Sequence, residues 1–391
     1  MTARAWLWSL LFGNLAIGTG VMLVAGVLNE LAADLQVTPP VAGQLISAAA
    51  AVMAIGAPLA AAVTARFDRR LLLAATLAWY AAGLLACAAA PTFEALLVLR
   101  LLTVVSAAIF TPQAAAAVAL LAPPETRGRA IAFTFLGWAI ASVASIPASA
   151  AIAGTFGWRT AFAVAGVLAA LAALGVAAAL PPGLRAQALP ARAWLEVARH
   201  PLLPRVLAVT VISASGQFAV FAFIAPYLLW LLEADANERA IALAWIGVFG
   251  LLGNVAVARG IDRLRADRTA ALTLGAMLVG IALLPAAGKL KPLAPLALAA
   301  WGFGTFGSNS SQQVRLAEIA PALAPASIAL NTSAIYLGQA VGSCLGGLLY
   351  GYTGVAWLPW LAAGLMASAL VLSLAVSRQR RLAGPASTGP C

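Results

Sequence analysis

Residues 65–70 read Ala-Arg-Phe-Asp-Arg-Arg, and residues 258–263 read Ala-Arg-Gly-Ile-Asp-Arg. Each follows directly on a long apolar run, and their Asp-Arg pairs stand close to half the chain apart. Between them lies the longest polar break, PPGLRAQALPARAWLEVARHPLLP at 181–204. It opens on two prolines, and its middle, around 194–199, can form a short amphipathic helix on a membrane surface. A signature repeated on either side of such a break predicts two related domains.

Working outward from the two copies, about 20 apolar residues are needed to cross roughly 30 Å of hydrocarbon. Twelve runs meet that need: 6–28, 41–63, 71–90, 95–121, 130–153 and 160–180 before the break, then 205–231, 239–258, 270–287, 293–313, 326–349 and 355–377. They lack the period-two alternation of barrel strands. Of the 391 residues, 63% are hydrophobic and 9% charged, where a soluble domain has about 45–50% and 25%. Mean hydropathy is +0.98. A water-soluble enzyme, a disordered chain and a nucleic-acid binder are excluded. The expected fold is an all-α polytopic membrane protein of 12 transmembrane helices in two pseudo-symmetric six-helix bundles. The first bundle is 1–180, the cytoplasmic linker 181–204, the second bundle 205–377, and a disordered cytoplasmic tail 378–391. The first apolar run is too long for the core of a cleaved signal peptide and is expected to be retained.

Charge placement orients the chain. With both termini cytoplasmic, only Arg159, Arg239, Lys289 and Lys291 fall outside, and the other loop arginines fall inside, as the positive-inside rule requires. The net charge of +11 is therefore topology and not a nucleic-acid surface. Cys87, Cys344, Cys391 and the lone His200 make no metal-binding or redox spacing, so no metal or cofactor is expected. Gly302-Phe303-Gly304-Thr305-Phe306-Gly307 matches G-x-G-x-x-G, but no strand precedes it, and the dinucleotide reading needs a strand–turn–helix unit. With no P-loop and no G-x-S-x-G, no enzyme is expected.

Polar side chains at membrane depth are costly and face a cavity or another helix. Asn14, Gln113, Gln217, Asn309 and Gln313 lie on the first, fourth, seventh and tenth runs. With Trp138, Trp301 and Tyr336 they are candidates for a mostly uncharged substrate pocket; interhelical hydrogen bonding is the alternative. Gln44, Asn254, Gln312, Asn331 and Gln339 complete the polar set. Arg100 lies roughly 8 Å inside the fourth run at 1.5 Å per residue, and leaving it unpaired costs about 2.5 kcal/mol or more. Glu30, at the outer end of the first run, is the nearest carboxylate at similar depth. Facing each other, they would make a proton-coupling pair; alternatively Arg100 snorkels or binds carbonyls, leaving Glu30 solvated. Gly338, Gly342 and Gly346, then Gly347 and Gly351, form small-residue stripes on the eleventh run. Ser145, Ser149 and Ala153 repeat the spacing on the fifth. These stripes are expected where helices approach closely, either between the domains or in static packing.

These residues resemble the major facilitator superfamily over nearly all of 8–377, and within it the drug:proton antiporter branch that includes sugar-efflux proteins. The resemblance rests on Gly18-Thr19 and the 26–35 stretch GVLNELAADL, on Arg100, and on 123–130 (PPETRGRA). It rests also on Gly157-Trp158-Arg159 with Phe162, on Ala225-Pro226-Tyr227-Leu228, and on 329–334 (ALNTSA) running to Gly346-Gly347. In the loop after the second helix, where the family has Gly-x-x-x-Asp-Arg-x-Gly-Arg-Arg, both glycines and the usual Asp are replaced by Ala61, Asp68 and Ala65. Val21 stands where relatives often carry a first-helix Glu.

The resemblance implies secondary active transport by alternating access, as proton-coupled efflux of a drug, sugar, nucleoside or amino-acid-like compound. It implies a multi-pass monomer in a bacterial inner membrane, whose partners are substrate, protons and the lipid bilayer. It places a multidrug-resistance role within reach. Arg66, Asp68, Arg69 and Arg70 with Asp262 and Arg263 would form a cytoplasmic gate. An importer of the same fold, or a sensor or scaffold on a degenerate transporter fold, remains open given Val21.

Overall fold

In the computed structural model of the chain, residues 5–64, 67–123, 127–185 and 191–382 are described. Within the helices, the side chains at 57, 58, 60–63, 119, 127–129, 131, 132, 191, 236, 258, 260–263 and 325 are not. Arg66, residues 383–391 of the tail and the side chains of Asp262 and Arg263 thus lie outside the described residues.

Each of the twelve apolar runs becomes helix. The first is α1 (Ala5–Asp34). The second divides into α2 (Pro39–Ala42) and α3 (Gln44–Val63), and α4 (Arg69–Ala88), α5 (Phe93–Leu121), α6 (Arg127–Phe156) and α7 (Trp158–Ala179) complete the first half. The short amphipathic helix in the central break is α8 (Ala191–Arg199). The seventh run divides into α9 (Leu203–Phe221) and α10 (Ile224–Leu232), and then come α11 (Ala236–Leu264), α12 (Ala266–Ala287), α13 (Leu293–Ile319), α14 (Ala324–Thr353) and α15 (Leu358–Leu382). The two divisions have local causes. Pro39 and Pro40 open α2 at positions where their missing N–H costs nothing. Pro226 would clash with the carbonyl of Ala222 in a continuous helix, and the chain breaks at Ala222–Phe223.

Ten of these helical segments are long and apolar enough to cross a membrane. The tenth and eleventh runs, α13 and α14, are 27 and 30 residues long and carry the densest polar side chains. Buried share falls from 78% of the most apolar window in α1 to 33% in α11 and α15, so α1 is enclosed while the latter two present broad faces outward. Leu71, Val98, Leu174 and Val371 are exposed on such faces, as lipid contact requires.

Small residues set the packing, and the structure shows which of the two expected contacts they make. Gly338, Gly342 and Gly346 press α14 onto α9 at the backbone of Val211, Ser215 and Ala219. Ser145 and Ser149 seat α6 on α1, Ser145 donating to Thr19 Oγ1 at 3.0 Å and Ser149 to the Leu23 carbonyl at 3.2 Å. Of the two alternatives, these residues take static packing within one half, while a Cβ on Gly347, on the neighbouring face of α14, would stand 3.7 Å from the Pro40 carbonyl of the first half. The GxGxxG segment is likewise helix packing: Gly302 abuts the α11 backbone at Ile246, and Gly304 abuts α12 at Thr273. Contact between the halves runs through α3 on α14 and α6 on α11. At the α6–α7 corner, Gly157 takes φ +84°, a conformation that suits glycine and turns Trp158 and Arg159 back toward α1.

Candidate functional site

The pairs α3–α14 and α6–α11 join the two halves. Behind these pairs, α13 packs on both α11 and α14, and α5 on both α3 and α6. Of the predicted pocket residues, the structure brings Asn309 and Gln313 together. Gln313 Nε2 donates to Asn309 Oδ1 at 3.2 Å, and Asn331 Nδ2 from α14 donates to the same oxygen at 3.1 Å. Thr210 on α9 completes the chain, its hydroxyl donating to Asn331 Oδ1 at 2.8 Å. Asn309 and Gln313 keep part of their surface exposed, while Asn331 is fully buried.

The remaining candidates are dispersed. Asn14 is fully buried and donates to the carbonyls of Leu10 at 3.3 Å and Thr134 at 3.4 Å, tying α1 to α6. Gln113 donates to Thr64 Oγ1 at 3.0 Å, tying α5 to the end of α3. In both, the interhelical hydrogen bond is the role the geometry displays. Trp138 is half-buried over Gly18 of α1, and Gln217 is half-buried on α9. Trp301 is fully buried, edge-on to Phe221 at 6.0 Å with its indole N–H unpartnered, and Tyr336 is buried on α14. Trp301 is packed inside the second half and does not present its face for ring stacking.

The Glu30–Arg100 pair is not formed. Arg100 is 1% exposed, and its Nη1 and Nη2 donate to the α1 carbonyls of Gly20 at 2.7 Å and Val21 at 3.2 Å. Tyr80 donates to the neighbouring Ile17 carbonyl at 3.1 Å, and its hydroxyl occupies the place a Cβ on Gly20 would need. Main-chain dipoles hold both terminal nitrogens of this guanidinium, while its buried Nε has no partner. Glu30 pairs instead with Arg239, Oε1 to Nη2 at 3.8 Å, and Arg239 also donates to the Ala234 carbonyl at 2.9 Å. This ion pair joins α1 of the first half to α11 of the second, at the end of the bundle distal to the N-terminus. Beside it, Asp34 accepts from Trp158 Nε1 at 2.9 Å and pairs with Arg159. The Phe223 ring fills the space beside Gly43 at the same end. A cleft of about 560 Å³ lies there between the halves, lined among others by Asn29, Pro39, Trp230 and Tyr350.

At the opposite end, Asp68 caps α4 by accepting from the Leu71 N–H at 3.1 Å and also accepts from the Gly183 N–H. Burial opposes its charged form, but the N–H groups of Leu71, Gly183 and Arg70 and the charge of Arg185 hold its carboxyl below the usual range. Arg69 is buried, its side chain donating to the Thr64 carbonyl at 3.0 Å and its N–H to the Leu184 carbonyl at 2.8 Å. Arg70 is half-buried. These residues tie the α3–α4 turn to the start of the central linker.

The sequence reading missed a second ionic cluster at this end, having placed Arg315 in a loop. Arg315 is fully buried on α13, 2.7 Å from Asp267 at the start of α12, and it donates to Ser373 Oγ, Ser373 O and Ser377 Oγ on α15, each at 3.0 Å. Arg380 bridges Asp267 at 3.3 Å and Glu318 at 2.9 Å. The signal available was Ser373 and Ser377, one turn apart on the helix that ends in Arg378–Arg381.

Comparison with known proteins agrees with this architecture. The Major Facilitator Superfamily profile matches residues 10–328. The inner membrane transport protein YdhP of Escherichia coli O157:H7 is 28% identical over 375 residues, covering 96% of each chain. The chloramphenicol efflux pump MT0201 of Mycobacterium tuberculosis is 31% identical over 377 residues, covering 90% of this chain and 87% of the pump. Among solved structures, a D-xylose–proton symporter superposes with a TM-score of 0.78 at 17% identity, over 95% of this chain and 97% of that one. Two helical halves, bridged by two helix pairs around a polar inner face, and a family match over most of the length have one meaning: the chain is a multi-pass membrane transporter, not an enzyme, and belongs to the major facilitator superfamily.

Proposed function

We propose that the chain is a proton-coupled exporter of small organic compounds, working by alternating access in a bacterial inner membrane with both termini cytoplasmic. The observation that carries this reading is the Glu30–Arg239 pair, an ionic contact from one half to the other at the distal end. With the termini inside, that end is the outer face, and the pair closes it over the amide-lined face of α13. Protonation of Glu30 from outside releases Arg239 and lets the halves part there. Of the pair's neighbours, Asp34 is engaged with Arg159, and Asp235 and Glu238 cap the start of α11 through reciprocal main-chain hydrogen bonds. Glu30 thus carries the coupling that its predicted partner Arg100 does not share, and Arg100 acts as a brace on α1. Asp68, Arg69 and Arg70, with Arg66, Asp262 and Arg263, remain the proposed cytoplasmic gate, reached through the linker that Asp68 and Arg69 hold. Export, in preference to uptake, is supported by the efflux pump among the relatives. The test is substrate movement in everted membrane vesicles energised by acid inside. Accumulation that collapses with the gradient and with Glu30→Gln supports the proposal; accumulation independent of the gradient refutes the coupling.

A further inference from the structure

Three carboxamides share one face of α13. At 3.6 residues per turn, Asn309, Gln312 and Gln313 fall within an arc of about 100°. Asn331 and Thr210 fix how that face is presented. The Asn331 side chain is fully buried, and its carbonyl oxygen is taken by the Thr210 hydroxyl, so its NH2 must point at Asn309. Asn309 Oδ1 therefore accepts two hydrogen bonds, one from Asn331 and one from Gln313. What is left over is specific. The Asn309 NH2 and the Gln313 carbonyl oxygen make no hydrogen bond and retain accessible surface, a donor and an acceptor side by side. Gln312 adds an independent observation: it is 1% exposed, and neither its oxygen nor its nitrogen has a partner. A buried carboxamide without partners is costly unless a water or a bound molecule completes it.

The buried and half-buried ionic groups already described have partners of their own. Arg100 holds two α1 carbonyls, Glu30 holds Arg239, and Asp267 holds Arg315. Among the described residues, α13 offers an incoming molecule dipoles and no free charge of either sign on this face.

We propose that this face is the specificity site for a neutral organic substrate presenting an adjacent hydrogen-bond acceptor and donor, such as an amide, a nucleobase edge or a vicinal diol. Thr210 and Asn331 are positioning residues that set the polarity of the Asn309 amide. A permanent cation or a carboxylate finds no partner there and is rejected, because burying an unpaired charge costs far more than burying an amide that is matched. The inference rests on the transporter reading above, but not on its direction or its coupling to protons.

The experiment is equilibrium binding to the purified full chain in lipid nanodiscs at constant pH. The probes are chloramphenicol and thymidine as neutral ligands, tetraphenylphosphonium as a cation and benzoate as an anion. The chain is expected to bind a neutral probe at least tenfold more tightly than either ion. Asn309→Asp keeps the acceptor that Asn331 and Gln313 require and replaces only the outward NH2. It is expected to weaken the neutral probe by about tenfold or more and to raise tetraphenylphosphonium binding. Thr210→Val, which leaves the α13 residues unchanged but frees the Asn331 amide to turn, is expected to weaken the neutral probe several-fold when binding is read well below the variant's own, somewhat lowered, melting temperature. Tighter binding of either ion by the unaltered chain overturns the proposal, as does binding of none of the four probes. So does neutral binding that Asn309→Asp leaves within twofold while the protein melts normally. Because binding is read at equilibrium without a gradient, loss of proton-driven transport leaves this result standing, and the reverse holds too.

Discussion

Replacing Glu30 by Gln removes the ionic contact between the halves at their distal end while keeping the side chain's size. Glu30 Oε1 and Arg239 Nη2 are 3.8 Å apart, with side chains 26% and 13% exposed. At an effective dielectric near 20, two unit charges at about 4 Å attract by roughly 4 kcal/mol. Desolvation and partial exposure offset most of this, leaving about 1 kcal/mol for a pair at such a site. Since 1.4 kcal/mol is a factor of ten in an equilibrium, Glu30→Gln should raise the distally open population about fivefold. Spin labels at Phe156→Cys and Tyr352→Cys, two well-exposed distal positions on opposite halves, read that population from their distance distribution. The long-distance fraction should grow in Glu30→Gln and equally in Arg239→Gln. Acidification should enlarge it in the unaltered chain and leave the Glu30→Gln distribution as it is. An unchanged distribution in both variants, or a full acid response in Glu30→Gln, refutes the latch.

Other consequences follow from single contacts. Asp267→Asn leaves Arg315 fully buried with no counter-charge at 2.7 Å; a loss of about 3–5 kcal/mol is expected, seen as a large drop in melting temperature in detergent. Arg100→Lys offers one ammonium where a fork spans two carbonyls, so transport should fall several-fold while the protein still folds, judged by size-exclusion profile. His200 accepts from the N–H groups of Leu202 and Leu203 through Nδ1, and burial holds its pKa below the usual value. The native state therefore favours the neutral imidazole. Its contribution is present above the unfolded pKa of about 6.5 and is lost as pH falls through that value toward the folded one. Melting temperature should drop over that window in the unaltered chain, and less in His200→Ala.

The fold was legible because its two determinants are written locally. Apolar runs long enough to cross a bilayer became helices α1 to α7 and α9 to α15, and the repeated Asp-Arg signature suggested two halves. Which helix meets which was not legible, because small-residue spacing states only that some helix comes close. The stripe at Gly338, Gly342 and Gly346 meets α9 inside its own half, while the halves touch through other faces of α3, α6, α11 and α14. The site was readable by residue type and not by pairing. Asn309 and Gln313 do converge, but Asn14 and Gln113 are committed to neighbouring helices. Glu30 and Arg100 both lie near the distal side of the first half, yet sequence depth is silent on azimuth. Arg100 found carbonyls next to a glycine, and Glu30 found a cation from the other half. Arg315 looked like a loop charge because its partner Asp267 lies 48 residues earlier in the chain, on a different helix.

Transport by the purified chain in liposomes bears most directly on the claim that protons drive the two halves to export a neutral compound. With the lumen acid and the medium neutral, whichever labelled neutral probe the chain binds should accumulate toward the acid side, faster than in protein-free liposomes, and Glu30→Gln should abolish the gradient's effect. If the label crosses at the protein-free rate under gradients of either direction, or accumulates equally without a gradient, the claim is contradicted.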